Sequence, residues 1–256
     1  MHAYQPQFDP QQDEMSLLGQ SVRYLQSHRL NHVLRVKHVF DVTISVGALI
    51  LLAPVILIAA LIIKLESRGP IFYRQERIGL NRRRSDRRTI SRNIRNCEEN
   101  RTGSERRKNI NAGRPFNIIK LRTMKLGSEN NGPVLASDND PRITRVGRLM
   151  RTARVDEIPQ FVNVIRGEMS IIGPRPERPF FISKYKHELP EFDLRLYVKP
   201  GITGLAQVES GYTKTVDHMR RRLLYDLRYI SRLSFMQELQ IILKTFYVVV
   251  TGKGAC

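Results

Sequence analysis

The sequence predicts an α+β chain, mainly helical, organised as a monotopic membrane protein. An N-terminal re-entrant helix hairpin is expected to precede a cytoplasmic domain that carries amphipathic interfacial helices. Three observations predict this. The run from Val42 to Ile63 has 22 residues without a charge, about 33 Å as a helix, against a bilayer core of about 30 Å. Pro54 sits at its middle, and cations flank both ends (Arg35, Lys37, Lys64, Arg68). Positive charge on both sides suits a helix that enters and leaves on one face. The rest of the chain alternates strand-like and helix-like patterns, ending in an apolar stripe at helical spacing.

Residues 1–36 form an N-terminal extension that opens Gln/Pro/Asp-rich and is expected to be partly mobile. Leu17, Leu18, Val22 and Leu25 predict a surface helix between Ser16 and Leu34. The membrane segment covers residues 37–66. Pro54 has no N–H and leaves the Ile50 carbonyl unpartnered, so a break is expected at Ala53-Pro54. Each arm is then about 15–18 Å long, half a bilayer core. A cleaved leader is not expected, because about 40 residues precede the run and no small-residue cleavage site follows. Gly69-Pro70 turns into a short strand. From Arg82 to Lys108 eleven Arg or Lys stand against four Asp or Glu, so residues 82–113 read as a basic flexible insert. No aromatic residues are interleaved there for base stacking, attraction to anionic lipid explains the charge more simply, and a solvated loop with no specific partner is the plainest reading of all.

Pro115 to Met124 predicts a strand with Lys120 and Arg122 on one face. Thr144 caps a helix running to about Thr152. A second helix is expected from Asp156 to about Arg166, ending at Gly167, with Phe161, Val162, Val164 and Ile165 buried. Pro159 is tolerated in its first turn. Lys199 to Gly204 is a Gly/Pro turn whose N–H groups could face an anion. Two amphipathic helices close the chain in residues 215–256. The second starts at Ser234, with Gln237 in capping-box position. Its stripe of Phe235, Leu239, Ile242, Phe246 and Val249 suits either a core or a membrane surface.

The chemistry is concentrated at Arg151-Thr-Ala-Arg-Val-Asp-Glu-Ile-Pro-Gln160, with Ile171-Ile-Gly-Pro-Arg-Pro176 downstream. Adjacent carboxylates at a helix start, with arginines nearby, suit phosphoryl chemistry: an acid can attack or hold a divalent cation, and guanidinium groups hold phosphate oxygens. A helix N-terminus favours Asp156 as the anion. An exposed Arg/Glu helix end would give the same local pattern. The formal charge of +19 points to a polyanionic partner, whether nucleic acid, anionic lipid or nucleotide. Two cysteines, Cys97 and Cys256, exclude a disulfide framework or a zinc site.

Seven segments, in one order, together resemble the bacterial sugar transferases, the monotopic polyprenol-phosphate phosphoglycosyl transferases. They are the Lys37–Arg68 hairpin, Gly69–Gly79, Phe116–Met124, Asp140–Arg148, Val155–Gln160, Met169–Glu177 and Lys199–Gly204. The resemblance implies transfer of a sugar 1-phosphate from a UDP-sugar to polyprenol (undecaprenyl) phosphate, with UMP released. It implies that Asp156 is the nucleophile, forming an aspartyl-phosphosugar intermediate. Glu157 is its acidic partner, and the pair would hold the required Mg2+. Arg151 and Arg175 match phosphate-binding arginines, Lys120 and Arg122 join them, and Gly201, Thr203 and Gly204 form a nucleotide-sugar loop. Implied partners are the UDP-sugar, polyprenol phosphate and anionic membrane lipids at the cytoplasmic face of a bacterial inner membrane. A homo-oligomer is compatible with this, and no nucleic acid is expected. The catalytic domain would occupy residues 67–214. Ala53-Pro54 stands where the family commonly has Ser-Pro, and the insert is longer than usual. The chain looks like the small single-anchor form with an N-terminal extension. Two rival readings are a catalytically dead scaffold of this fold and a membrane-tethered nucleic-acid binder.

Overall fold

The computed structural model of the protein describes residues 10–26, 29–81, 113–128, 140–210 and 215–251. The first nine residues and the basic insert, except its last residue, lie outside them. The described residues form eight helices and four short strands. Helix α1 spans Pro10–Gln26 and α2 Arg29–Glu66. Strands β1 (Phe72–Ile78) and β2 (Pro115–Leu121) pair antiparallel, with Tyr73 opposite Lys120. Helix α3 (Arg145–Thr152), a 3-10 turn (Val155–Glu157) and α4 (Gln160–Ile165) come next. Strand β3 (Ser170–Ile172) pairs parallel with β4 (Gly201–Thr203). Between them run α5 (Pro179–Glu188) and a 3-10 segment (Pro190–Tyr197), the long crossover that parallel strands need. Helices α6 (Leu205–Glu209), α7 (Val216–Ser231) and α8 (Phe235–Thr251) complete the fold.

Helix α1 is part of the core rather than a loose surface helix. Leu17, Ser21 and Leu25 are buried. Ser21 Oγ donates to the Leu227 carbonyl at 2.9 Å, and Tyr24 Oη to that of Leu233 at 3.0 Å. The main core lies where α5, α7 and the 3-10 segment meet, around Phe192, Tyr197, Leu227 and Tyr229. Apolar residues at helical spacing seek cover, and α7 supplies it.

The two arms expected around Ala53-Pro54 are joined. Helix α2 is one 38-residue element with Pro54 inside it, about 57 Å long. Proline removes one helical hydrogen bond, and in apolar surroundings the remaining backbone groups still have no better partner than the helix. Residues Val33–Glu66 are long and apolar enough to cross a membrane. Leu51, Leu57, Ile58, Leu61 and Leu65 are exposed. Both ends nevertheless bear on the domain. Near the start, Lys37 pairs with Glu238 of α8 at 2.7 Å, and Asp41 accepts from Ser170 Oγ of β3 at 2.7 Å. Near the end, Ala59 and Ile63 pack with Leu121 and Met150, and Glu66 accepts from the Val146 N–H at 3.1 Å.

The stripe on α8 faces outward. Phe235, Leu239, Ile242 and Phe246 are exposed and Val249 half-buried, whereas Ile241 is buried. Ser234 caps the helix, accepting from the Gln237 N–H at 3.3 Å.

Candidate active site

The predicted cap at Thr144 forms: its Oγ1 accepts from the Gly147 N–H at 2.9 Å. Gly147 brings α3 against the β2 exit. A Cβ there would stand 2.2 Å from the Thr123 carbonyl oxygen. Arg151, one turn on, donates Nε to Thr123 Oγ1 at 2.9 Å.

The helix expected from Asp156 to Arg166 is split. The Arg151 carbonyl accepts from Arg154 N–H at 3.1 Å, and Arg154 takes a left-handed conformation (φ 57°) that ends α3. Such a position ordinarily holds glycine or asparagine, so an arginine there carries no sign of it. Val155–Glu157 then make a single 3-10 turn, and Pro159 precedes α4. Of the four residues expected to be buried on that helix, only Val164 is; Phe161 and Val162 are half-buried and Ile165 is exposed. Asn163, which sequence reasoning did not single out, is fully buried. It accepts from the Ile119 N–H at 3.0 Å and donates to the Asn117 carbonyl at 2.8 Å, binding α4 to β2.

The turn buries both carboxylates, with different surroundings. Glu157 Oε1 takes Lys120 Nζ at 2.6 Å and Arg175 Nη2 at 3.0 Å, and Oε2 lies 3.8 Å from Arg154 Nη1. Burial opposes its ionisation. Lys120, then Arg175 and Arg154, more than reverse this, so its pKa falls well below the ordinary glutamate value. Among the described residues no hydrogen bond or ion pair engages the Asp156 carboxylate. Burial raises its pKa, and the Glu157 charge adds to this. Lys120, Arg151 and Arg175 act in the other direction without cancelling it. Ionisation of Asp156 therefore rests on these cations. A three-residue turn lacks the aligned dipoles of a true helix start.

Lys120, Arg151 and Arg175 thus converge on the carboxylate pair. Arg122 does not join them. Strand β2 ends at Leu121, and the buried Arg122 donates to the carbonyls of Arg68 at 2.6 Å and Ser67 at 2.9 Å. It holds the two carbonyls that follow the end of α2, away from the carboxylate pair. Gly69 (φ 126°) makes room for it: a Cβ there would lie 2.6 Å from Arg122 Nη1.

Gly201, Thr203 and Gly204 are also placed differently from an open anion-binding loop. The Gly201 N–H is spent on the Pro174 carbonyl at 2.9 Å, and Thr203 Oγ1 meets Thr245 Oγ1 at 2.7 Å. A Cβ on Gly201 or Gly204 would stand 2.1–2.2 Å from the Gly173 backbone. These glycines let β4 press against the turn that presents Arg175.

Hard carboxylate oxygens suit Mg2+, which takes one or two protein carboxylates and completes its shell with water and phosphate. Asp156 and Glu157 supply two. Asp156 is unengaged among the described residues, and Glu157 keeps Oε2, from which Arg154 stands 3.8 Å away. The pair fits such an ion chemically.

A buried carboxylate pair under three cations lies beside a helix long and apolar enough to cross a membrane, the mark of a membrane-associated protein. The model of the bacterial sugar transferase family matches residues 32–90 and 97–252, and the chain belongs to that family. It is 38% identical over 221 residues to a UDP-glucose:undecaprenyl-phosphate glucose-1-phosphate transferase of Caulobacter vibrioides, covering 86% of this chain and 71% of that one. It is 36% identical over 220 residues to the UDP-N-acetylgalactosamine-undecaprenyl-phosphate N-acetylgalactosaminephosphotransferase of Aeromonas hydrophila, again 86% of this chain but 45% of the relative. The exopolysaccharide production protein PSS of Rhizobium leguminosarum bv. phaseoli is 33% identical over 225 residues, covering 85% of this chain and 97% of its own length. The chain therefore spans from under half to nearly all of the relatives it matches.

Proposed function

We propose that the protein transfers a sugar 1-phosphate from a UDP-sugar to polyprenol phosphate through a covalent aspartyl intermediate. One observation carries this: among the described residues Asp156 has no hydrogen bond or ion pair, while its neighbour Glu157 gathers the cations. The ionised Asp156 oxygen attacks the phosphorus that bears the sugar. An Asp–O–P bond forms, the bridging P–O bond breaks, and UMP leaves with the electron pair. A polyprenol phosphate oxygen then attacks the same phosphorus and frees Asp156. Lys120, Arg151 and Arg175 offset the charge where two anions meet. Mg2+, held by Asp156 and Glu157, would supply further neutralisation of the diphosphate. The relatives' names, which pair UDP-sugars with undecaprenyl phosphate, support this assignment.

The apolar run enters the membrane and returns to the same face, with Pro54 as its hinge, so that the chemistry sits at the cytoplasmic surface of a bacterial inner membrane. Support comes from both flanks. Helix α1 docks on α7, and both ends of α2 bear on the one domain. The exposed apolar stripe of α8 suits the same interface. The test is a panel of UDP-sugars with undecaprenyl phosphate, following UMP release with Mg2+ and after chelation. Sustained UMP release that requires both the lipid and one UDP-sugar is expected, with about one UMP per protein released when the lipid is withheld. Absence of release across the panel, with the protein folded, would overturn the assignment.

A further inference from the structure

The turn that presents Arg175 has an unusual way of satisfying its backbone. Pro174 and Pro176 lack N–H groups, so the turn cannot build a ladder of its own. Four successive carbonyls are instead held from outside. The Pro174 carbonyl accepts from the Gly201 N–H at 2.9 Å, and the Glu177 carbonyl from the Ile78 N–H at 2.9 Å. The two between them take guanidinium groups. Arg195 Nη2 donates to the Arg175 carbonyl at 2.9 Å, and Arg77 Nη1 to the Pro176 carbonyl at 2.9 Å.

We propose, resting on the function above, that Arg77 and Arg195 are positioning residues for the transfer, acting through Arg175. Each is fixed from behind. Arg195 is buried, with Nη2 2.8 Å from Asp226 Oδ2 and its guanidinium 4.7 Å from the centre of the Phe192 ring. Arg77, on β1, also donates Nη2 to Gln75 Oε1 at 2.5 Å. Burial lowers its pKa to about 10, with Glu177 acting to raise it, so it stays charged at neutral pH. Together they clamp the backbone on both sides of the peptide that follows Arg175. The fork is thereby aimed at Glu157 before any phosphate arrives. An arginine held in place loses less freedom on gripping a phosphate. Lysine cannot replace either clamp, because each guanidinium reaches two partners in different directions.

The experiment is a double-mutant cycle on the full-length protein in detergent micelles. Arg77→Met and Arg195→Lys are each made in wild type and in Arg175→Ala, and UMP release is followed against UDP-sugar concentration. UDP affinity is measured on the same samples. Each clamp variant should lose about tenfold in kcat/KM in wild type. That loss should vanish in Arg175→Ala, since the residue acted upon is gone. An equal loss in both backgrounds would make Arg77 and Arg195 general supports of the fold and overturn the proposal. So would wild-type turnover in both variants. Should wild type turn over no UDP-sugar, the proposed function fails, and the cycle read on UDP affinity decides the positioning role by the same criterion.

Discussion

The two adjacent carboxylates should respond oppositely to loss of charge. Glu157→Gln keeps the shape and an acceptor oxygen but leaves Lys120 without its anion. Lys120 Nζ lies 2.6 Å from Glu157, with only 17% of its side chain exposed. Removing one partner of a buried pair costs about 3–5 kcal/mol. The retained acceptor argues for the lower end, and Arg175, about a third exposed, adds little after solvent screening. About 3 kcal/mol corresponds to a Tm lower by about 6–12 °C in a chain of this size. The pKa of Glu157 is depressed in the fold, so its stabilisation is present above the ordinary glutamate range and wanes as pH falls below it. The gap from wild type should narrow in acid accordingly. Asp156 has the opposite sign. Its pKa is raised, so the fold favours the protonated form, and ionisation at neutral pH costs stability. Asp156→Asn should therefore melt at or above wild type while turnover falls roughly 10^3-fold. The assay is thermal denaturation in detergent across pH, with UMP release on the same samples. A Tm loss in Asp156→Asn equal to that of Glu157→Gln would refute the division of roles between them.

Single contacts set three more outcomes. Arg175→Lys keeps the charge but loses the fork, and should lower kcat/KM by tenfold or more; unchanged kinetics would reduce the residue to a general positive charge. Arg122→Gln should lower Tm with little change in KM for the UDP-sugar, because its guanidinium holds the carbonyls of Ser67 and Arg68; a large KM change with unaltered Tm would return it to the substrate site. With Cys97 and Cys256 replaced by serine, cysteines at the exposed Ser16 and Ser183 should both resist an impermeant thiol reagent in intact cells. Labelling at Ser16 alone would show that α2 spans the membrane.

Local chemistry made much of this legible in the sequence. The uncharged run of residues 42–63 marks a long apolar helix, for lipid or for a core, and Thr144 caps the helix at its own C-terminal side with a hydroxyl that reaches only three residues on. The carboxylate pair and the Pro174-Arg175-Pro176 turn suited phosphoryl chemistry by residue type, as an exposed Arg/Glu helix end also would, and the order of the seven segments favoured the first reading. Other features depend on partners far away in the chain. Lys120 and Arg122 share a face by strand alternation, yet the strand stops between them, and Arg122 turns to carbonyls more than fifty residues upstream. The left-handed Arg154 carries no compositional signal, and it replaces the expected helix start with a turn. Asp156 and Glu157 have similar chemistry and adjacent positions. Only tertiary structure decides that Glu157 meets Lys120 and Arg175 while Asp156 pairs with none of the described residues, because the charges that separate them arrive from β2 and from the turn after β3. Arg77 and Arg195 belong to the same class, since nothing local marks an arginine whose partner is the backbone of a distant turn.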